Sequence, residues 1–395
     1  MHVRKINVAA LSGKRVLLRS DLDLIVEHGI VTPGQVRFTA ALSTIKELQA
    51  VGARVIVIGH RGRPEGLDAS LSIEPIAKAL IAKLPKETAQ FVSMSNQKEL
   101  VAATRAMAKG DVLILENLRF HPGEQKNDPV FAKQLAELAD VYVNDAFGNC
   151  HRNHASMTGI ALFLESYAGP TVMRELEALE PVRSVQSHPY VAIVGGKKIS
   201  SKLHALTALL AGADHVFVGG AIATTFFVAQ GLSVGASLYE ESDVALAASL
   251  LQHSSLRLPV DVVVRGEDGT YRGILLEAIQ QTDVIVDLGP ESISHMRSAI
   301  LKAKMILWNG PVGIIEEVAS RVGSDAIAHM VAECSRGSVY GVVGGGNTVG
   351  LLEQLGMTDF VDHVSTGGGA MLEYVGGQTV PALEVLKLKE ETYVG

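Results

Sequence analysis

Cysteine is scarce in this sequence, and that scarcity excludes one class of protein. The 395 residues contain only Cys150 and Cys334, too few for the disulfide framework of a small secreted protein. Long apolar runs are missing as well. No stretch approaches the roughly 20 residues that span a bilayer, and residues 1–15 lack the apolar core of a signal peptide. We therefore expect a cytoplasmic protein that does not enter membranes.

An excess of positive charge and two common nucleotide motifs are also missing. The formal net charge is −7, which argues against a chain whose whole surface binds nucleic acid or membrane. No GxxxxGK[ST] motif occurs, so the chain is not a P-loop enzyme. In the glycine-rich stretch Val342–Gly350, Val349 stands where a GxGxxG motif needs its last glycine. A dinucleotide fingerprint is therefore unsupported.

Apolar residues and glycine are plentiful. Hydrophobic residues make up 47% of the chain and charged residues 19%, as in well-buried globular proteins. A chain of 395 residues is too long for one ordinary core, so we expect two domains. The 39 glycines cluster after apolar runs, a placement that indicates ligand-contacting turns more than flexible linkers.

Short β-branched runs alternate with segments of helical periodicity, such as Phe38–Val51 and Ile199–Ala211. This alternation predicts an α/β fold with parallel sheets covered by helices on both faces. The segment Thr171–Pro189 reads as a helix followed by a connector, and it is the best domain boundary. The predicted strands are Arg15–Leu18, Arg54–Ile58, Asp111–Leu115, Val141–Val143, Tyr190–Val194, His215–Val218, Val260–Val264, Val284–Leu288, Met305–Trp308 and Val339–Val343.

Cationic side chains follow the predicted strands of the first half. In open α/β sheets, ligands bind outside the carboxyl ends of the strands. Four successive strand ends should therefore bring several cations together around a small, highly charged anion. The polar residues after these strands are Arg19 and Asp21, then His60, Arg61 and Arg63, then Arg119 and His121, then Asn144, Asp145, His151, Arg152 and His154.

Glycine, in contrast, follows the strands of the second half, in the stretches VGGKK, VGGA, DLGP, WNGPVG and VGGGNT. Main-chain N–H groups at such turns can hold phosphates without clashing side chains, so we expect a nucleotide site. Two such sites together indicate group transfer between their ligands. A metal site at Cys150, His151 and His154 is disfavoured, because Arg152 would repel a cation and no second ligand pair occurs.

Several long segments carry a resemblance to one family. They are GHRGRP (Gly59–Pro64), LENLRFHPGE (Leu115–Glu124), VNDAFGNCHRNHAS (Val143–Ser156), WNGPVGIIE (Trp308–Glu316) and STGGGAMLE (Ser365–Glu373). On these segments the chain resembles the phosphoglycerate kinase family over essentially its whole length. The resemblance implies an α/β fold of two Rossmann-like domains, each a parallel sheet with helices on both faces, joined by a hinge helix.

The resemblance also implies domain boundaries and a reaction. Residues 1–172 would bind 3-phosphoglycerate, with the tail 376–395 packing back on them. Residues 173–188 would form the hinge helix and connector, and residues 189–375 would bind nucleotide. The implied reaction is the reversible glycolytic transfer of a phosphoryl group from 1,3-bisphosphoglycerate to ADP, in line after hinge closure. It yields 3-phosphoglycerate and ATP and uses Mg²⁺ with the nucleotide. The implied state is a cytoplasmic monomer that binds neither nucleic acid nor membrane.

The family's site residues can be carried over by motif match. Forked guanidinium groups suit phosphate and carboxylate, and phosphoryl transfer relies on positioning and charge. Arg37, Lys198 and Lys202 are therefore expected to be catalytic. The substrate-binding set implied is Asp21, Asp23, Arg37, His60, Arg63, Arg119 and Arg152. The nucleotide-binding set implied is Lys198, Lys202, Gly219, Gly220, Asn309, Glu316, Gly344, Gly345, Gly346, Asn347 and Thr348.

The chain departs from the family pattern near both expected ligands. Asp23 stands where the family has Asn, and Ile25 where it has Pro. Lys197 turns the family's GGAK into GGKK. Asn347 replaces the aspartate expected to help bind Mg²⁺, and an amide gives the ion less charge stabilisation than a carboxylate. These departures keep one alternative open, a catalytically impaired paralogue that binds its ligands for a regulatory role.

Overall fold

The structure is a computed structural model that describes residues 3–32, 34–93 and 96–387. The described residues form two compact units. The first unit runs to Glu177 and takes in the described residues from Thr379 onward, and the second unit runs from Ala178 to Gln378. Of the predicted tail 376–395, the part after Lys387 lies outside the described residues. No helix within the described residues is long and apolar enough to cross a membrane.

The first unit is built on a parallel sheet. Its strands are β1 Arg15–Arg19, β2 Val26–Glu27, β3 Ile30–Val31, β4 Arg54–Ile58, β5 Ala89–Val92, β6 Val112–Leu115, β7 Val141–Asn144 and β8 Ser166–Ala168. Six of them pair in the order β5-β6-β4-β1-β7-β8, and every pair is parallel. Strands β2 and β3 form a separate antiparallel hairpin.

Helices cover both faces of this sheet. They are α1 Val36–Ala50, α2 Glu74–Ile81, α3 Gln97–Ala106 and α4 Pro129–Ala136. Helix α5, Pro170–Arg183, contains the boundary between the two units. Successive residues of a strand point to opposite faces. Accordingly, Val16 and Leu18 of β1 join a core cluster with residues of α1 and α2. Leu17 joins a different cluster with residues of α3 and α4. The all-apolar strands of this unit are therefore explained by burial on both sides.

The second unit repeats the plan. Its strands are β9 Tyr190–Val194, β10 His215–Val218, β11 Leu256–Arg257, β12 Asp261–Arg265, β13 Tyr271–Leu275, β14 Val284–Leu288, β15 Met305–Asn309, β16 Tyr340–Gly344 and β17 His363–Val364. The main sheet has the order β11-β10-β9-β15-β16-β17 and is parallel throughout. The helices are α6 Leu203–Gly212, α7 Gly220–Ala229, α8 Val244–Leu250, α9 Pro290–Ile300, α10 Val322–Ser335, α11 Gly346–Gln354 and α12 Gly368–Val375.

The two parallel sheets confirm the predicted α/β class, and each of the ten predicted strands matches an observed strand to within one residue at either end. Two of those strands lie in a different sheet from the one expected. The predicted strands Val260–Val264 and Val284–Leu288 correspond to β12 and β14. Together with β13 they form a three-stranded antiparallel sheet of order β13-β12-β14. Their placement in a parallel sheet was wrong, because β-branched runs show that a strand exists but not which way its partner runs.

Helix ends differ slightly from expectation. The predicted helix Phe38–Val51 is α1, and the predicted helix Ile199–Ala211 begins as a 3-10 turn at Ser200–Lys202 before α6. Other 3-10 turns are Val8–Leu11, Ala69–Leu71, Leu118–Phe120, Phe147–Asn149, Gly159–Leu162, Glu241–Asp243, Leu276–Ala278, Val318–Ser320 and Thr358–Phe360.

The last described residues return to the first unit. They include the short helix α13, Pro381–Glu384. The main-chain N–H of Ala382 donates to the carbonyl of Cys150 at 3.0 Å, and that of Arg4 donates to the carbonyl of Leu386 at 2.7 Å. These bonds satisfy main-chain groups of a segment that would otherwise need water.

Candidate active site

In both parallel sheets the strand order reverses at the first strand, so β7 lies beside β1 in the first unit and β15 lies beside β9 in the second. The first sheet has a further reversal, because β6 lies between β5 and β4. Crevices at such points are where open α/β sheets bind ligands. Arg19 closes β1, His60 follows β4 and Arg152 follows β7, so three of the predicted cations lie at the carboxyl edge of the first sheet.

These three side chains form a continuous row. Arg19 is 1% exposed, and its Nη2 lies 2.9 Å from His60 Nδ1. On the other side of the same ring, Arg152 Nη1 lies 2.9 Å from His60 Nε2. Burial above all, and then the nearby arginines, hold the pKa of His60 well below its usual range, so the ring is neutral at physiological pH.

A neutral imidazole has one N–H and one acceptor nitrogen, so only one of the two arginine contacts is a hydrogen bond. Which ring nitrogen carries the proton depends on which arginine donates to the ring. At the other nitrogen, two donors then lie 2.9 Å apart. An anion bound beside such a pair would accept from both donors, which is the arrangement expected of a substrate site.

Arg119 adds a third guanidinium cation to Arg19 and Arg152. It is 6% exposed and donates through Nη1 to the carbonyl of Gly62. Burial, followed by repulsion from Arg152, lowers the pKa of Arg119 to about 10. Its Nε is buried and meets no hydrogen-bond partner among the described residues. A buried donor without an acceptor is costly, so a bound anion would relieve both the unpaired donor and the repulsion.

Two aspartates organise the rim of the cluster. Asp21 Oδ2 lies 3.3 Å from Arg37 Nε, and Arg37 Nη1 donates to the carbonyl of Asp23 at 3.1 Å. The carboxylate of Asp23 accepts from the main-chain N–H of Gly62 at 2.8 Å, and its other oxygen lies 4.0 Å from His60 Nε2. Asp23 therefore fixes the loop that carries His60, and the nearby cations balance its charge.

Other residues of the predicted strand ends lie outside this group or at its edge. Arg61 donates to the carbonyls of Ser70 and Ser72. Arg63 is exposed. His121 stacks on Phe131 with ring centroids 3.9 Å apart, which is a packing role.

A buried carboxylate that the sequence analysis did not single out is connected to the cluster by hydrogen bonds. Glu124 is fully buried and accepts from Ser156 Oγ at 2.6 Å and from Ser156 N at 3.0 Å. Ser156 Oγ in turn accepts from Arg19 Nε at 3.0 Å. A chain of hydrogen bonds thus runs from Glu124 through Ser156 and Arg19 to His60. Its members are far apart in sequence, and no local spacing indicates their contact.

In the second unit, glycine lets the loops after β9 and β15 cross closely. A Cβ added to Gly195 would overlap the carbonyl oxygen of Pro311. One added to Gly310 would overlap the carbonyl of Gly195, and Gly310 also has a positive φ of 96°. These are positions that only glycine fits. Trp308 anchors the same crossing, because its Nε1 donates to the Gly310 carbonyl at 2.8 Å.

Lys202 lies under this crossing. Its Nζ donates to the Gly195 carbonyl at 2.6 Å and to Asn309 Oδ1 at 2.9 Å, and it lies 3.4 Å from the Asn309 carbonyl. Burial lowers the pKa of Lys202 to about 8. The ammonium thus holds the two loops together and places a positive charge directly beneath them.

The predicted glycine-rich loop Gly344–Gly346 begins helix α11. Gly345 has a positive φ of 96°. The hydroxyl of Thr348 is buried and accepts from the main-chain N–H of Gly310 at 2.9 Å, so Thr348 ties this loop to the one after β15. Asn347 is exposed at the first turn of α11. Gly219 packs against Val312, and Gly220 begins α7.

A cavity of about 390 Å³ lies beside these loops. One part of its wall is apolar and could hold a planar ring. The rest of the lining includes bare backbone at Gly196 and Gly220 and the polar residues Lys197, Thr224, Asp287, Glu316 and Asn347. The apolar part includes Phe227, Leu238, Pro259, Val286, Pro311, Val312, Ile314 and Ile315. The sequence patterns gave no signal that these apolar residues would meet around a ligand space.

The two adjacent lysines have different surroundings. Lys197 lines the cavity. Lys198 pairs with Glu240, with Nζ 2.7 Å from Oε2, and does not belong to the cavity lining. The assignment of Lys198 to the transfer step therefore stays a prediction that this geometry does not test.

The residues here do not form a magnesium site of their own. Within the described residues, no three His, Cys, Asp or Glu side chains are grouped to hold a metal ion. Asn347 offers one neutral amide oxygen, whereas Mg²⁺ prefers carboxylates and substrate phosphates. The donor set does not fit an ion held by the protein alone.

Comparisons with known proteins agree with this geometry. A family model described as Phosphoglycerate kinase matches residues 6–378. A phosphoglycerate kinase of Thermosynechococcus vestitus is 42% identical over 393 residues, which cover 97% of this chain and 98% of that protein. One from Rubrobacter xylanophilus is 42% identical over 397 residues, 99% of this chain and 100% of that protein.

Solved structures show the same likeness. The phosphoglycerate kinase of Coxiella burnetii has a TM-score of 0.80 and 36% identity, covering 95% of this chain and 96% of that one. The phosphoglycerate kinase of Pyrococcus horikoshii OT3 has a TM-score of 0.84 and 29% identity, with the same coverage. The sequence match spans both units and both sets of loops. The chain therefore belongs to the phosphoglycerate kinase family.

Proposed function

We propose that this chain catalyses reversible phosphoryl transfer from 1,3-bisphosphoglycerate to ADP, giving 3-phosphoglycerate and ATP. The observation that carries the proposal is the row Arg19–His60–Arg152, in which an arginine contacts each nitrogen of a neutral imidazole at the carboxyl edge of a parallel sheet. Its charge suits a ligand with both phosphate and carboxylate groups. Family membership supports the same reaction.

In this proposal each unit binds one ligand. The predicted substrate-binding residues of the first unit hold the glycerate phosphate, and the loops after β9, β15 and β16 hold the nucleotide. In the transfer, the bond from phosphorus to the acyl oxygen breaks and a bond to an oxygen of the ADP β-phosphate forms. The glycerate carboxylate leaves with the electron pair. The protein contributes position and positive charge, which is most of what this chemistry needs.

The first unit supplies charge for the leaving carboxylate and the transferring group. Arg152, beside the neutral ring of His60, is placed to donate to an anionic group of the substrate. Arg37 is oriented by Asp21 and by the Asp23 carbonyl, so it is ready to act without a large rearrangement of its side chain. Preorganised donors of this kind contribute most of the stabilisation of developing charge.

Magnesium enters the proposal as a partner of the nucleotide. The ion would arrive on the phosphate oxygens of ADP or ATP, because the protein offers only an amide at Asn347. Bound there, it would neutralise phosphate charge. We also propose, on the family resemblance alone, that the chain acts as a cytoplasmic monomer; light scattering of the purified protein measures its mass in solution.

The test is ATP formation by the purified chain from 1,3-bisphosphoglycerate and MgADP, followed with a coupled assay. Arg37→Ala should lower kcat by about 100-fold or more, as for loss of a single charge-stabilising donor, and should change the Kd for ADP little. Arg105→Ala, which removes an exposed arginine of α3, is the matched control and should leave both values unchanged.

Two results would contradict the proposal. One is a wild-type chain that makes no ATP while Asn347→Asp does, which would identify an impaired paralogue. The other is an Arg37→Ala variant whose kcat and ADP affinity fall by the same small factor. Nothing in the structure or in the comparisons favours the paralogue.

A further inference from the structure

The loop after β9 presents two adjacent lysines whose side chains have different partners. Lys198 Nζ lies 2.7 Å from Glu240 Oε2, and the other oxygen of Glu240 accepts from Ser242 Oγ at 3.0 Å. The ion pair raises the pKa of Lys198 and lowers that of Glu240. Lys198 is therefore held by a carboxylate that is itself oriented. Lys197 instead lines the cavity beside the glycine-rich loops.

Charge around the cavity is unevenly distributed. Among the described residues that line it, the charged side chains are Lys197, Asp287 and Glu316. Asp287 accepts from the main-chain N–H groups of Gly323 at 2.7 Å and Leu288 at 2.9 Å, and burial raises its pKa to about 6. Asp287 is therefore occupied in holding the fold, and Lys197 is the one cation that the described lining presents to a ligand.

Lys197 belongs to the polar part of the cavity lining. It follows Gly196, whose backbone lies close to that of Gly220. Asn347, in the first turn of α11, lines the same cavity. Bare backbone, a helix start and a lysine together suit a phosphate chain, while the apolar wall suits a base.

From these observations we infer that Lys197 binds the phosphate groups of the nucleotide and supplies a fixed positive charge where the neutral Asn347 supplies none. The inference rests on the proposed function and adds a binding residue to it. A lysine ammonium is a compact charge on a flexible stem, so it can follow a phosphate without a fixed fork geometry.

Magnesium should change how much Lys197 contributes to ADP binding. Mg²⁺ on ADP neutralises part of the phosphate charge that Lys197 would contact. Removing the lysine should therefore weaken binding of free ADP more than binding of MgADP. Asn347→Asp should weaken binding of free ADP and strengthen binding of MgADP, because a carboxylate repels free ADP and attracts the bound metal ion.

The test is isothermal titration of the full chain with ADP and with adenosine, once in EDTA and once with excess MgCl₂. In EDTA, Lys197→Ala should weaken ADP binding about tenfold, equivalent to one charge-assisted hydrogen bond at an exposed position. In MgCl₂ the same variant should lose less of its affinity for ADP. Its affinity for adenosine, which has no phosphate, should equal that of the wild type. Lys302→Ala, an exposed lysine of the same unit outside the cavity lining, is the control and should match the wild type.

Distinct results would overturn distinct claims. If Lys197→Ala binds ADP as the wild type does, or loses ADP and adenosine equally, Lys197 does not bind the phosphates. A wild-type chain that binds neither ADP nor adenosine would overturn the nucleotide site itself, and with it the proposed function.

Discussion

Ser156 gives the sharpest prediction for the first unit, because its hydroxyl joins two buried charges. Ser156 Oγ donates to Glu124 Oε1 at 2.6 Å and accepts from Arg19 Nε at 3.0 Å, and Ser156 is fully buried. Ser156→Ala removes both bonds and keeps the main-chain bond from Ser156 N to Glu124 Oε2. The substitution therefore isolates the connection between the buried carboxylate and Arg19.

The expected loss of stability in Ser156→Ala follows from the two charged side chains that its hydroxyl contacts. Both lost bonds involve a charged group, and each such bond contributes about 1.5–3 kcal/mol. Partial compensation by the neighbouring bonds brings the expected loss in the free energy of unfolding to about 2–4 kcal/mol. Arg19 also holds His60 Nδ1. A looser Arg19 should therefore raise the KM for 3-phosphoglycerate about five- to tenfold, at most the equivalent of about 1.4 kcal/mol, and leave the KM for ATP unchanged.

Urea unfolding and steady-state kinetics measure the two effects. Ser166→Ala is the matched control: Ser166 is also fully buried, but its hydroxyl makes one neutral bond, to the Leu164 carbonyl at 2.9 Å. The control should lose about 1 kcal/mol and keep its substrate affinity. The reasoning is refuted if Ser156→Ala is no less stable than Ser166→Ala and the KM for 3-phosphoglycerate does not move.

Two further predictions concern the second unit. Gly195→Ala should destabilise this unit by about 3 kcal/mol or more in calorimetry, because the new methyl overlaps main-chain atoms. The control is Gly346→Ala, where a Cβ meets no atom within 4 Å. Equal losses of stability in the two variants would contradict the close crossing of the loops. The pKa of Lys202, about 8, lies below its unfolded value, so this group should make the protein more stable as pH rises from about 8 to about 10.5. Bound ADP should raise that pKa, so calorimetry in two buffers should detect proton uptake near pH 9. Lys202→Met should abolish the uptake, and its absence in the wild type would contradict the assignment.

Much of the fold could be predicted from the sequence, because parallel strands buried on both faces must be almost wholly apolar. Strands such as β4 and β9 stand out for that reason. Strand β13 does not, since its residues are exposed or only partly buried, and it was missed. The direction of β12 and β14 was misjudged because an apolar run carries no mark of its partner's direction.

The candidate site could be predicted only in part. The position of charges after strands pointed to Arg19, His60 and Arg152, since parallel strands end at a common edge. The contact between Glu124 and Ser156 joins residues whose meeting depends on the folded loop, and no spacing rule indicates it. The different surroundings of Lys197 and Lys198 likewise depend on Glu240, which a sequence pattern does not place.

The most direct test of the central claim is transfer to the glycerate carboxylate itself. The purified chain is incubated with MgATP, 3-phosphoglycerate and hydroxylamine, which converts an acyl phosphate into a stable hydroxamate. Phosphoryl transfer predicts hydroxamate equal in amount to the ADP formed, and none without 3-phosphoglycerate. ADP without hydroxamate would show simple hydrolysis, and the absence of both products would show no transfer; either result would contradict the account.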